Sequence, residues 1–343
     1  MASTSKYKPN TALSEDAYRE KFSTDALART YLEAQIWPDG KPKCPWCGYT
    51  KAHEWQQKNK PGYYRCNSCK KQFDVRHGTV FEGSHIPLRK WFIAWYSLVT
   101  DRKGVSSMAL SKKLGVTQKT AWFLEHRIRH AMGTGKYDYM LGGIDKVVEN
   151  DETFAGGKKK NMHKNKKQKG SGPKGKAVIF GMVERGGMAR SVVVPNAERV
   201  TIQNVIKQNV ERGTLLNTDE GRQYIGVEKH GFERNSVNHK MKEYVRYDSA
   251  KPFVDKMAST NSIESVWALL KRGFYGTFHK FSLKHLQRYV DEFDFRWNQG
   301  NCRYPTMQRI DAIIGMSFGK KRLTWKMLVG TDRCPSMYAP RTP

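Results

Sequence analysis

A multidomain α+β architecture is predicted by three patterns in this 343-residue sequence. Two Cys-x2-Cys pairs stand 18 residues apart near its start. Two helix-forming segments then flank a Leu-Gly-Val turn, and later β-branched runs follow the order strand, strand, strand, helix, strand, helix. The chain accordingly divides into an N-terminal helical segment (1–40), a cysteine ribbon (41–85), a helical domain (86–138), an α/β domain (139–300) and a C-terminal extension (301–343).

Bulk composition narrows the partners. Lys+Arg number 61 against 32 Asp+Glu, a formal charge of +29, so the surface repels itself unless a polyanion is near; nucleic acid is the usual one. Aromatic residues at 12%, with nine Trp, exclude a disordered basic tail, because such side chains must be buried or stacked. Residues 1–24 include Glu15 and Asp16 and lack an apolar core, and no run of 18 apolar residues occurs. The expectation is a cytoplasmic protein with no signal peptide and no membrane partner, whose cysteines bind metal rather than form disulfides.

In chain order, Phe22 to Trp37 reads as an amphipathic helix that ends before Pro38-Asp39-Gly40. Cys44, Cys47, Cys66 and Cys69 follow in two knuckles, and four thiolates so spaced close a tetrahedral structural zinc site. Short alternating segments between and after them predict a zinc ribbon. His53 and His77 are read as ordinary loop histidines, and Cys302 and Cys334 as isolated. Leu88 to Thr100, with Trp91, Phe92, Trp95 and Tyr96, predicts a helix whose packing partner is the next stretch. There, Ser107 to Trp122 forms a helix, a Leu-Gly-Val turn and a second helix capped by Thr117, the helix-turn-helix arrangement. Gln118, Lys119, Arg127 and Arg129 are its candidate DNA contacts, while Ala121, Leu124 and Ile128 face inward.

Beyond residue 140 the pattern turns strand-rich: Lys146–Phe154, Ala177–Glu184 and Met188–Val194, then a helix from Val200 to Glu211 and a short buried strand ending in an acid within Thr214–Gly221. That order is the order of an RNase H-like layer. Between the first two strands, a basic stretch (157–176) with nine lysines lacks apolar anchors and is expected to be mobile, with Lys158 and Lys159 available to DNA phosphates. Finally, Thr260 to Arg272 predicts a helix capped by Ser259 or Thr260, with Ile263, Trp267 and Leu270 buried, that stops at Gly273. Glu264 and Lys271, two turns apart, leave it on one face about 10 Å from each other.

Asp151, Asp219 and Glu264 come from two strands and from that helix. In such a sheet the first and fourth strands are neighbours, so the three acids converge. Clustered carboxylates repel; divalent magnesium or manganese relieves this, and two ions about 3.5–4 Å apart assist in-line displacement at phosphorus. Glu149, on the same strand face as Asp151, and Glu152 and Glu220 are rival acids.

Ile36-Trp37-Pro38-Asp39-Gly40 before the first knuckle, Asn150-Asp151-Glu152-Thr153-Phe154-Ala155-Gly156-Gly157-Lys158, Asn217-Thr218-Asp219-Glu220, Val237-Asn238-His239 with Glu243-Tyr244-Val245-Arg246, Thr260 to Glu264 with Leu270-Lys271-Arg272-Gly273, and His285 to Asn298 together carry a resemblance. Over roughly residues 20–330 the chain resembles bacterial insertion-sequence transposases that join a zinc ribbon to a DDE domain, relatives of the Merlin-type transposons. The resemblance implies that Asp151, Asp219 and Glu264 are the catalytic triad holding two Mg2+ (or Mn2+) ions, and that Lys271, with Arg272, touches DNA. Asn261, one turn before Glu264, is a ligand or orients the acid. His239 and Tyr244 lie near the scissile region without a catalytic role. It further implies binding of terminal inverted repeats, cleavage at the transposon end, strand transfer into target DNA without ATP, a homodimer or higher assembly, and a nucleoid-associated bacterial protein. The alternatives are a catalytically silent or domesticated DNA-binding regulator and an RNase H-fold nuclease of other biology.

Overall fold

Two short helices, α1 (Glu15–Lys21) and α2 (Asp25–Ile36), each begin at a hydroxyl that accepts from a backbone N–H three residues on, Ser14 from Ala17 and Thr24 from Leu27. The computed structural model describes residues 13–55, 61–133, 138–156, 175–237, 245–247, 257–319 and 322–330. It parts into two compact units, one of residues 1–134 with 299–343, the other of residues 135–298.

In the first unit, Tyr18, Phe22 and Tyr31 stack against Phe92 or Tyr96 of α3 (Leu88–Thr100). Asp25 accepts from the backbone N–H groups of Leu88 and Arg89, so a carboxylate from α2 caps α3, whose own N-cap, Pro87, has no side chain able to do so. Strands β1 (Ala52–Glu54), β2 (Tyr64–Cys66) and β3 (Gln72–Phe73) pair antiparallel. Then α4 (Ser107–Leu114) ends at Gly115, which takes the left-handed conformation (φ 59°), and Thr117 caps α5 (Gln118–Met132).

The expected partner of α3 was the stretch after it, and α4 does pack there. A second partner comes from the far end of the chain: α9 (Thr306–Met316) packs against α2, α3 and α5. Arg309 donates to the Val99 carbonyl, and the Tyr31 hydroxyl donates to Asp311 at 2.6 Å. The last described helix, α10 (Trp325–Val329), sets the Trp325 ring edge-on to Trp122 and Phe123 of α5.

The second unit holds a five-stranded sheet. Strands β4 (Val147–Ala155), β5 (Ala177–Glu184) and β6 (Ala189–Val194) run antiparallel, while β7 (Leu215–Thr218) lies parallel to β4 and β8 (Glu233–Ser236) parallel to β7. The order is β6-β5-β4-β7-β8. One face packs on α6 (Arg199–Asn209) through Val148, Phe180, Val192, Leu216, Ile202 and Ile206. The other packs on α7 (Asn261–Gly273) and α8 (Leu286–Trp297) through Ile179, Val183, Ile263, Trp267, Val290 and Phe293. A separate pair, β9 (Val245–Tyr247) and β10 (Met257–Ser259), leads into α7. The α-helix ends at Gly273, as expected, but Gly273 keeps right-handed helical angles and the coil continues as a π turn to Phe278, where His279 (φ 58°) ends it.

The outer edge of β6 is covered by side chains of α8. Gln287 accepts from the Val193 N–H, Asp294 accepts from the N–H and hydroxyl of Ser191, and Asn298 both accepts from the Ala189 N–H and donates to its carbonyl. Residues 189, 191 and 193 are the ones whose backbone faces away from β5, so each of these outward N–H groups is met by a helix side chain. Asp294→Ala strips both Ser191 bonds and is expected to lower the unfolding free energy by about 2–3 kcal/mol. A urea midpoint equal to that of the parent protein would contradict this covering role.

Candidate functional site

Strand alternation on β4 sends Glu149 and Asp151 to one face and Asn150 and Glu152 to the other. Glu149 is 1% exposed and accepts from the backbone N–H of Ser262 (2.7 Å), the N–H of Ile263 (3.2 Å) and the Ser262 hydroxyl (3.1 Å). A carboxylate from the sheet thus caps α7, favoured by the positive end of the helix dipole. Thr260 holds the N-cap position but makes no side-chain cap bond. Arg185 adds an ion pair to Glu149 at 3.4 Å and a bond to the Ser259 hydroxyl.

Held there, α7 lies close on the sheet. Gly181, opposite Asp151 on β5, has no room for more: a Cβ on it would stand 2.6 Å from Ile263 Cδ1 and from the Trp267 ring. The Trp267 indole N–H donates to Asp151 Oδ2 at 2.9 Å. Asp219 arrives by register. The parallel pairing of β4 and β7 runs Val147↔Leu215 to Glu149↔Asn217, and continuing it two residues brings Asp219 alongside Asp151. Its Oδ1 accepts from the Gly221 N–H at 2.8 Å, fixing a tight turn. Glu264 lies exposed in the first turn of α7.

The electrostatics record this convergence. Burial above all, and then the charges of Asp219 and Glu264, push the Asp151 carboxyl up to about 6, against hydrogen bonds from the Glu152 backbone and Trp267 that lower it. On the opposite face, burial and the Asp151 and Asp219 charges push Glu152 up to about 7. Hard oxygen donors whose charges oppose one another suit a divalent cation, which removes the repulsion. The three carboxylates are nonetheless spread more widely than a closed single-ion cage: among the described residues, only the four cysteines bring all their ligand atoms within 4.8 Å of one another.

Those cysteines form the second centre. Cys44 and Cys69 sulfurs lie 3.6 Å apart, as do those of Cys47 and Cys66. Zinc bonds of about 2.3 Å set tetrahedral edges near 3.8 Å, so the four thiols fit a structural Zn2+. Left-handed residues close both knuckles, Gly48 (φ 73°) and Lys70 (φ 59°). The Tyr49 backbone N–H draws Cys47 down to about 7, while burial holds Cys44 up near 11. His53 bonds Asn67 and His77 bonds Asp74, each away from the sulfurs.

Not every expected DNA contact is exposed. Gln118 and Lys119 are exposed at the start of α5, with the Lys119 ammonium 4.6 Å from the Trp325 ring centre. Arg127 is a correction: it is 4% exposed, donates to the Val80 and Glu82 carbonyls, and lies over the Trp91 and Phe123 rings. Burial lowers its guanidinium to about 10. Arg129 is likewise buried, paired with Glu125 one turn earlier. Both face the core because α9 and the segment around Val80 close over that side of α5. Lys271 and Arg272 are exposed in the last turn of α7, Arg272 donating to the Ala268 carbonyl. Lys158, Lys159, His239, Tyr244 and Cys334 lie outside the described residues. Sequence reasoning missed the Trp267 bond and the role of Glu149; the shared strand face of Glu149 and Asp151 was the available signal for the latter. Among the described residues, no helix is long and apolar enough to cross a membrane.

Comparison with known proteins adds to this geometry. Residues 140–298 match the ISXO2-like transposase domain, and residues 23–72 match a transposase zinc-ribbon domain. An uncharacterised protein in transposable element ISH50 of Halobacterium salinarum is 28% identical over 263 residues, which cover 74% of this chain and 86% of that protein. An uncharacterised transposase-like protein of Haemophilus influenzae is 24% identical over 113 residues, 33% of this chain and 83% of that protein.

Two outcomes follow from the two centres. Asp151 and Glu152 have folded-state values raised above their unfolded ones, so without divalent metal the folded state holds the extra protons, and its stability falls as pH rises from about 4 to 7. Asp151→Asn should therefore gain thermal stability over the parent as pH rises from 5 to 8 in chelator, by about 1–1.5 kcal/mol; a difference that does not change with pH would contradict the placement. Cys66→Ser should lose zinc, measured by elemental analysis, whereas a full equivalent retained would remove the ribbon as its site.

Proposed function

With the ISXO2-like transposase domain and the transposase zinc ribbon as its matched domains, the chain belongs among the insertion-sequence transposases, and we propose that it cleaves and joins DNA with Asp151, Asp219 and Glu264 as its catalytic acids. The observation that carries this reading is the shared electrostatic neighbourhood: acids at the end of β7 and on α7 act on one buried carboxyl of β4. The sheet order β6-β5-β4-β7-β8, with its change from antiparallel to parallel at β4, supports an RNase H-like assignment for this unit.

Two magnesium or manganese ions, when bound by these acids, supply a Lewis acid and an activated nucleophile for displacement at phosphorus. The protein's own part is positional. Glu149 sets the depth of α7 and hence where Glu264 stands; the Trp267 N–H fixes one Asp151 oxygen; the Gly221 N–H orients Asp219. Lys271 and Arg272, two turns beyond Glu264 and exposed, are placed to meet a DNA phosphate. The first step is hydrolysis at the transposon end, and the second is attack of the freed 3′-hydroxyl on target DNA, one phosphodiester exchanged for another.

Recognition divides between the units. We assign the terminal inverted repeats to the α4–Gly115–α5 element, a helix-turn-helix reading supported by the exposed Gln118 and Lys119, together with the ribbon. Target DNA is held by charge, consistent with the net +29, and Lys158 and Lys159 join that grip. Two ends must meet, so the working form is a homodimer or larger assembly.

Asp151→Ala, Asp219→Ala and Glu264→Ala should each reduce magnesium-dependent cleavage of end DNA by more than about 10³-fold, an effect of the size seen when a transition-state contact is lost, with end affinity within about threefold of the parent. Cleavage that survives any one change takes that acid out of the site. Cleavage without joining, blind to the end sequence, would favour a nuclease of other biology.

A further inference from the structure

The acid on the far side of β4 is bonded to the segment that follows Asp219. Glu152 Oε1 accepts from the Tyr224 hydroxyl at 2.7 Å, and Oε2 accepts from the Gln223 side-chain amide at 2.9 Å. Both donors belong to the 3-10 turn Arg222–Tyr224, which begins three residues after Asp219. We propose that Glu152 is a positioning residue: it ties this turn to β4 and thereby fixes the Asp219 carboxylate opposite Asp151. The proposal rests on the reading of Asp219 as a catalytic metal ligand.

Three further features fit a built clamp. Gly221 leaves the space the Gln223 amide occupies, since a Cβ there would collide with it. Arg234 of β8 grips the same turn from the other side, donating to Thr218 Oγ1 and to the Asp219 carbonyl, both at 3.0 Å, with its guanidinium over the Tyr224 ring. Tyr224 itself is fully buried, so its hydroxyl needs an acceptor. An amide or hydroxyl could satisfy Tyr224 without placing another carboxylate beside Asp151 and Asp219. A bidentate anchor for two neighbouring donors is what Glu152 adds. Groups that orient metal ligands in this way typically change metal affinity by 10–100-fold when removed.

The test uses the full chain with its ribbon zinc-loaded and measures Mn2+ affinity by calorimetry, end-DNA affinity by fluorescence anisotropy, and cleavage against Mn2+ concentration. Glu152→Ala should weaken Mn2+ binding about 10-fold or more, with end affinity unchanged and with cleavage partly restored at high Mn2+. Glu152→Gln, which keeps one acceptor for Tyr224 and loses the one for the Gln223 amide, should fall between the parent and Glu152→Ala, and Tyr224→Phe should move Mn2+ affinity in the same direction as Glu152→Ala by a smaller factor. If Glu152→Ala does not fold, Tyr224→Phe and Gln223→Ala carry the test. Parent-like Mn2+ affinity in the folded variants would overturn the clamp. Failure of the underlying reading is distinct, because then Asp219→Ala itself would keep parent-like Mn2+ affinity and cleavage.

Discussion

How near α7 can come to the sheet depends on one buried carboxylate. Glu149 accepts two backbone N–H groups and a hydroxyl from the start of α7, a charge-assisted cap in a water-poor place. Without it, the unmet N–H groups of α7 and the Arg185 guanidinium would each lose their counter-charge, and breaking such a buried arrangement costs about 3–5 kcal/mol. The remaining geometry follows. Gly181 lets the helix settle to contact, Ile263 and Trp267 fill the gap, the indole N–H reaches Asp151, and the Glu264 charge in the first turn acts on Asp151. Stability and chemistry are joined here, since the bond that docks the helix is two residues from the acid the helix serves.

The same economy recurs elsewhere in this unit. Along β6, polar side chains of α8 replace the neighbouring strand the edge lacks, so the sheet ends without an open ladder. Across β4, Glu152 and Arg234 hold the turn after Asp219 from two sides. The ribbon works on a different principle: its strands are three, three and two residues long and bury little, so four sulfurs and a metal ion must supply what a core cannot.

Local pattern was legible in the sequence, and long-range closure was not. The paired knuckles, the Leu-Gly-Val turn and the three β-branched strands announce themselves through spacing and periodicity, and β4 to β7 follow the order read from them. Strand β8, Glu-Arg-Asn-Ser, has no apolar alternation, because it lies at a polar edge. Trp267 was legible as a buried stripe residue, but periodicity is blind to where an indole N–H points. The α7 cap lies 113 residues away on β4, so the hydroxyl-rich Ser259-Thr260 drew the assignment instead. Arg127 and Arg129 looked like DNA contacts because charge is usually solvated; α5 is instead covered on that side by α9, contributed by the distant end of the chain. The approach of Asp219 to Asp151 was legible in the sequence, because parallel pairing of the first and fourth strands brings their acids alongside.

The account turns on three carboxylates acting as one divalent-metal pocket. Anomalous diffraction from crystals of the protein with end DNA and Mn2+ tests that directly. The account predicts manganese peaks liganded by Asp151, Asp219 and Glu264, between β4, the end of β7 and the first turn of α7. Peaks elsewhere, or a Glu264 carboxylate out of reach of any ion that Asp151 holds, would contradict it.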